Sequence, residues 1–304
     1  LHDYSVDLKN GLSQMQKDLS DGIINWKDFD EKIKASDYIQ EVDNVSMDAI
    51  IDIDKTFDEY AGLIYDGAFS EHIEKENKKG LIGDNISKND AEEKIKKFFE
   101  GKEIKEIKYE GEIVDGKINV YKYEVEFKNE NTKATISISK KGGYPILMSY
   151  PKEISQSNIN KERADEIGKE FLKEIGFESM KETYYQLDNN AITINYAYNQ
   201  NGIIVYPDLI KLKVSLENGE ILGIESSGYI NCHEKRTETK AKITSDEAKK
   251  TLNKNLKIES ESLAIIPTEW KTEILCYEFK GKVNETEFLV YINAETGEEK
   301  EYLL

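Results

Sequence analysis

The chain has 304 residues, 34% of them charged and 38% hydrophobic, with only four prolines. That length exceeds what one hydrophobic core usually serves, and the composition is that of folded modules with solvated surfaces, not of a disordered tail. Sixty acidic against 42 basic residues give a net charge of −18, a field that repels phosphate backbones and anionic lipid headgroups and so argues against nucleic acid as a partner.

The chain starts at Leu1, without a methionine and already in helical pattern, as expected if an upstream signal or anchor segment has been removed. No apolar run approaches the roughly 18–20 residues that cross a bilayer. From residue 1 to about 80, apolar residues recur at helical spacing: Leu8, Leu12, Met15 and Leu19, then Trp26, Phe29 and Ile33, then Met47, Ile50, Ile53, Phe57, Tyr60 and Ile64. This predicts two or three amphipathic helices, broken near Gly22 and Asp43-Asn44, and reads as the end of a longer helical N-terminal domain.

After Gly80 and Gly83 one order of elements occurs three times, over 85–155, 156–238 and 240–304. Each copy opens with a capped helix. Ser87 precedes Ala91, Ile95, Phe98 and Phe99; Asn160 precedes Ala164, Ile167, Phe171, Leu172 and Ile175; Thr244 and Glu247 form a capping box before Ala248, Leu252 and Leu256. Period-two segments follow, whose alternation puts one face on a core and the other in water. They are Tyr121 to Phe127, Ala134 to Ile138, Ile146 with Met148, Ile192 to Tyr198, Leu212 to Leu216, Ile221 with Ile224, Leu275 to Phe279 and Phe288 to Ile292. Turns at Gly143, Gly219 and Gly297 lie 76 and 78 residues apart. An internal repeat at that period predicts an α+β array, in which each unit packs a helix on an antiparallel sheet. One continuous sheet domain with coincidental spacing is the alternative.

No chemistry-bearing motif stands out. His2, His72 and His233 form no metalloenzyme pattern. Cys232 beside His233 would place two ligands on opposite faces of a strand, with no second pair nearby. Cys232 and Cys276, the only cysteines, are too few for a disulfide framework, and whether they pair is left open. The carboxylates mostly occupy polar positions of amphipathic patterns, which gives them little reason for the raised pKa of a general acid. Asp52, Asp54, Asp58 and Glu59, and the turn at Asp188-Asn189-Asn190, lack the spacing of a calcium loop. No cofactor fingerprint is present. Arg163 and Arg236 are the only arginines, so the planar fork that reads phosphates is nearly missing. Eighteen tyrosines are many, and Tyr184, Tyr185, Tyr206 with Pro207, and Tyr229 fall near strand or loop ends. They are candidates for partner contact, with sheet packing as the alternative. Exposed strand edges offer a second route to a partner.

The segment Ile243-Thr244-Ser245-Asp246-Glu247-Ala248 together with Phe288-Leu289-Val290-Tyr291-Ile292-Asn293-Ala294-Glu295-Thr296-Gly297 resembles the PepSY module. The run from Tyr206-Pro207-Asp208-Leu209-Ile210 through Asn218-Gly219-Glu220-Ile221, with Gly228-Tyr229-Ile230, is similar to the YpeB germination protein family of endospore-forming bacteria. The resemblance covers about 85–304 as three PepSY-like copies, and the helices before them resemble the tail of that family's N-terminal region. It implies an extracytoplasmic, non-catalytic protein of the spore envelope that binds and stabilises or localises a cortex-lytic transglycosylase of the SleB type, near cortex peptidoglycan. It carries no catalytic, cofactor or metal residues over, and implies membrane attachment only through a segment absent here. A PepSY-type inhibitor or regulator of a secreted hydrolase or protease is the rival reading, with direct hydrolysis and a purely structural array behind it.

Overall fold

The computed structural model describes residues 78–114, 118–237, 240–268, 272–284 and 286–303; the helices expected before residue 78 lie outside them. The Ser87 hydroxyl accepts from the Asp90 amide while the Asp90 carboxylate accepts from the Ser87 amide, a capping box that starts α1, Lys88–Phe98. Asn160 caps α2, Lys161–Glu174, by accepting from the Arg163 amide. A short α3, Ser227–Cys232, has no side-chain cap. Thr244 and Glu247 make the second capping box, at α4, Ser245–Ala248.

That last helix is shorter than expected, since it passes into a 3-10 turn at Lys249–Thr251 and ends, never reaching Leu256. Asn253 and Asn255 follow Leu252, and the Asn253 side chain accepts from the Asn255 amide. Asparagine competes with helical hydrogen bonding in this way, so the chain turns instead.

Four strands follow each of α1, α2 and α4. They are β1 Ile104–Ile113, β2 Val120–Phe127, β3 Ala134–Ser139 and β4 Pro145–Ser149; β5 Met180–Asp188, β6 Ala191–Gln200, β7 Ile203–Ser215 and β8 Ile221–Glu225; β9 Lys257–Pro267, β10 Glu273–Val283, β11 Thr286–Asn293 and β12 Glu299–Leu303. All twelve belong to one sheet, in the order β1-β2-β3-β4-β8-β7-β9-β10-β11-β12, with β5 and β6 branching from β7. Every pairing is antiparallel except β7 with β9, which run parallel over Ile203↔Leu263, Ile204↔Ala264 and Val205↔Ile265. Gly219 has φ +81°, which the β7–β8 turn requires and which glycine adopts without strain.

The apolar side chains divide into unequal clusters. The largest holds α1 through Ala91 and Ile95, α2 through Ala164 and Leu172, and the strands beneath both, including Tyr123, Ile136, Ile194 and Leu212. A separate cluster under α4 joins Ala248 and Leu252 to Phe279, Val290 and Ile292. Between them Ala197, Tyr206 and Leu209 meet Ala264, Cys276 and Tyr291. Each fully buried large aliphatic or aromatic side chain contributes about 1.5–3 kcal/mol, so the first cluster dominates.

The expectation that each strand keeps one face in water holds for β2 but fails at the centre. Seven consecutive residues of β6, from Ala191 to Ala197, and ten of β7, from Ile203 to Leu212, are buried. Ile194, Tyr196, Ile210 and Leu212 pack with α2, while the neighbouring Ala197 and Leu209 point the other way, into the cluster shared with β9 to β11. Gly168 lets α2 come this close, because a Cβ there would lie 2.3 Å from the Tyr196 hydroxyl.

Candidate functional site

The register between β6 and β7 breaks in the middle: Ala197 pairs with Leu209, but Tyr198 pairs with Val205. Tyr206, Pro207 and Asp208 are left over on β7 with no partners on β6. Proline has no amide hydrogen for a ladder, so it is tolerated where the ladder is already interrupted. The interruption sets Asp208, fully buried, against the segment that follows α3.

Arg236 lies in that segment. Its Nη1 and Nη2 donate to the two Asp208 oxygens at 2.6 and 2.7 Å, and its Nε and Nη2 donate to the two Glu273 oxygens on β10 at 3.1 and 3.0 Å. Further bonds run to the Glu234 and Cys232 carbonyls at 2.7 and 3.3 Å. Gln200, at the end of β6, holds the Arg236 backbone through both its amide and its carbonyl, at 2.9 and 2.8 Å. Burial works against the charged guanidinium, but the hydrogen bonds and charges of Asp208 and Glu273 outweigh it and push the Arg236 pKa above its already high usual value. All five guanidinium N–H groups point at protein acceptors, so the arginine is a clamp and not a ligand hook.

His233 adds a third contact to Asp208, with Nδ1 2.8 Å from Oδ2. An ionised carboxylate only accepts, so the ring donates through Nδ1. Tyr229 stacks on the imidazole at 4.1 Å between centroids, and Tyr198 meets it edge-on at 4.6 Å. Cys232 and His233 therefore sit at the end of a helix, not side by side on a strand as the sequence reading had them. Neither Cys232 nor Cys276 is in a disulfide; both are fully buried, and burial pushes the Cys276 thiol up to about 12. An open cleft of about 340 Å³ borders the clamp, between residues 234–237 on one side and Ile265 with residues 273–275 on the other.

The five tyrosine-region candidates separate into two classes. Tyr184 and Tyr185 are exposed, at 45% and 42%, on the edge strand β5, near the exposed Leu187; Lys161 Nζ lies 4.7 Å from the Tyr185 ring centre. Tyr206, Pro207 and Tyr229 are buried, the first two within β7 and Tyr229 on α3 against Phe177 and His233, so they present no exposed surface in this conformation. The Tyr206 hydroxyl donates to Glu278 at 2.5 Å, Ser262 donates to the other Glu278 oxygen at 3.1 Å, and the Tyr206 ring meets Tyr291 edge-on at 5.8 Å. Burial beside a carboxylate pushes the Tyr206 hydroxyl well above its usual range.

Among the described residues, no three His, Cys, Asp or Glu side chains are grouped to hold a metal ion, and no helix is long and apolar enough to cross a membrane. The clamp was missed in the sequence because Gln200, Asp208, His233, Arg236 and Glu273 come from scattered positions. Two signals pointed to it: an aspartate inside an apolar run, and one of only two arginines.

Residues 47–240 match the family model for YpeB sporulation proteins, PepSY1 and PepSY2 domains, and residues 242–302 match the model for the peptidase propeptide and YPEB domain. Sporulation protein YpeB of Halalkalibacterium halodurans is 28% identical over 98% of the chain, and that of Bacillus subtilis is 30% identical over 99%. The chain spans 66% and 67% of the length of these relatives. A solved structure, the Bacillus megaterium YpeB C-terminal domain, is 30% identical and aligns with a TM-score of 0.67, over 73% of this chain and 98% of that one. The chain belongs to the YpeB family of sporulation proteins.

Proposed function

We propose that the chain is a non-catalytic spore-envelope protein in which three PepSY-like units, helix plus four strands each, hold and stabilise a cortex-lytic transglycosylase of the SleB type. Membership of a sporulation family supports the setting. The observation that carries the docking role is the edge of the sheet at β5, which among the described residues pairs with β6 alone and exposes Tyr184, Tyr185 and Leu187. An edge strand with exposed aromatic and aliphatic side chains suits addition of a partner strand, with main-chain bonds for affinity and side-chain contacts for choice. Arg236, Asp208 and Glu273, by contrast, are consumed in the clamp.

The test mixes the purified chain with the purified transglycosylase. A stabilising partner lengthens the enzyme's active lifetime without lowering turnover, and Tyr184→Lys with Tyr185→Lys weakens the complex by roughly tenfold or more, as loss of an aromatic contact of about 1.4 kcal/mol would. Sustained release of muropeptides by the chain alone would overturn the non-catalytic reading. The description of the model over 242–302 names peptidase propeptides, which favours a second reading, regulation of a secreted hydrolase or protease. A fall in the enzyme's turnover on mixing selects that one.

A further inference from the structure

Three backbone register pairs, Ile203↔Leu263, Ile204↔Ala264 and Val205↔Ile265, make up the β pairing between β1–β8 and β9–β12 among the described residues. The apolar contact behind this seam is modest. Ile203, Val205 and Ile265 form one small cluster, and the Tyr206–Cys276–Tyr291 cluster another, both far smaller than the core that joins α1 to α2. Two polar contacts also cross it: the buried Tyr206 hydroxyl donates to Glu278 of β10, and one guanidinium bridges the two sides. Arg236 takes Asp208 from β7 and Glu273 from β10, and its backbone is pinned by Gln200 of β6.

We infer that β9–β12 with α4 form a separable flap, docked along the β7–β9 seam and latched by Arg236, which opens without unfolding the rest of the sheet. Two physical facts favour the seam as the place of opening. Cooperative units of a fold part where few apolar contacts and few backbone bonds cross. A guanidinium that ties the buried Asp208 to Glu273 concentrates holding energy in one side chain, because removal of the cation leaves the fully buried Asp208 without its bidentate partner. Opening frees the parallel edge of β9 and uncovers Ile203, Val205 and Cys276.

Cys276 is a built-in reporter. It is fully buried in the cluster behind the seam, and its thiol is both inaccessible and held protonated while the flap is closed. In a Cys232→Ala background, Cys276 is the only thiol. Its reaction with an aromatic disulfide reagent under native conditions then measures the open fraction. Arg236→Met is expected to speed that reaction on the order of 100-fold, with amide exchange in β2 and β3 unchanged. An unchanged rate, or thiol reaction and β2–β3 exchange rising together, overturns the inference. The Cys232→Ala protein with Arg236 intact gives an independent check. Cys276 reaction should rise with urea more shallowly than β2–β3 amide exchange, as a partial opening exposes less surface than global unfolding; equal slopes overturn the inference as well.

Discussion

Two junctions join the successive helix-and-strand units, and they are built on opposite principles. At the first, β4 meets β8 over Leu147↔Glu225, Met148↔Ile224 and Ser149↔Gly223, again three pairs. There, however, the helices on either side share one apolar cluster, and Phe98 of α1 meets Phe171 of α2 edge-on at 5.0 Å. Tyr144 and Phe177 add a second ring contact at 5.8 Å, and the buried Ser226 hydroxyl donates to the Pro145 carbonyl at 2.7 Å. At the second junction the described helices share no cluster; two smaller apolar clusters line it, and the Arg236 clamp and the Tyr206–Glu278 hydrogen bond cross it. Equal numbers of strand pairs thus give unequal junctions. Burial spreads the holding energy over many side chains, whereas the clamp places it in one.

The largest expected effect breaks the second junction. Asp208→Ala leaves the buried Arg236 with one carboxylate where it had two, and loss of one partner from a buried pair costs about 3–5 kcal/mol. In calorimetry the variant should show a separate low-temperature transition for the C-terminal strands, with the main transition in place; one transition shifted as a whole would contradict the contrast. Leu172→Ala tests the first junction, where removal of a fully buried side chain costs about 2–5 kcal/mol. Because that core is shared, amide protection in β2 and in β6 should fall together. Gly168→Ala is next, at about 1–3 kcal/mol, since the new methyl meets the Tyr196 hydroxyl at 2.3 Å. The midpoint of urea unfolding would read it, and an unchanged midpoint would mean that α2 can move aside at no cost.

The two junctions were not equally legible in the sequence. The caps at Ser87, Asn160 and Thr244 and the turns at Gly143, Gly219 and Gly297 are local signals, and the structure places them as read. Alternation exposed β2, β3, β10 and β11 but missed β1, whose bulges between Ile104 and Glu106 and between Tyr109 and Gly111 shift the apolar phase. It missed β5 because an edge strand with little to bury shows little pattern; it also missed the whole of β9, whose first half is likewise exposed, and β12. The first junction rests largely on the apolar positions of the two capped helices, so Phe98 and Phe171 were already marked as core, while Tyr144, Phe177 and Ser226 were not. The clamp at the second is built from polar residues on β6, β7, the segment after α3 and β10, and no period in the sequence connects them.

The smallest expected effect sharpens the contrast by acid. Glu220, beside the β7–β8 turn, pairs with Lys102 and Lys152, the latter at 2.9 Å, and Lys102 also donates to the Tyr150 hydroxyl at 2.8 Å. Burial alone would raise its carboxyl pKa, but hydrogen bonds and charge from the two lysines win and hold it below the ordinary glutamate value. A carboxyl with a lower pKa in the folded state than in the unfolded one stabilises the fold fully above the unfolded value, about 4.3. That contribution is lost as pH falls through the folded-state value. Partly exposed ion pairs contribute ~0.2–1 kcal/mol, so Glu220→Gln should flatten the acid limb of the stability–pH curve by no more than this. The loss should appear in the amide protection of β2 to β4 and of β8, on both sides of the first junction. A change confined to Cys276 reactivity would place the Glu220 pair at the wrong joint.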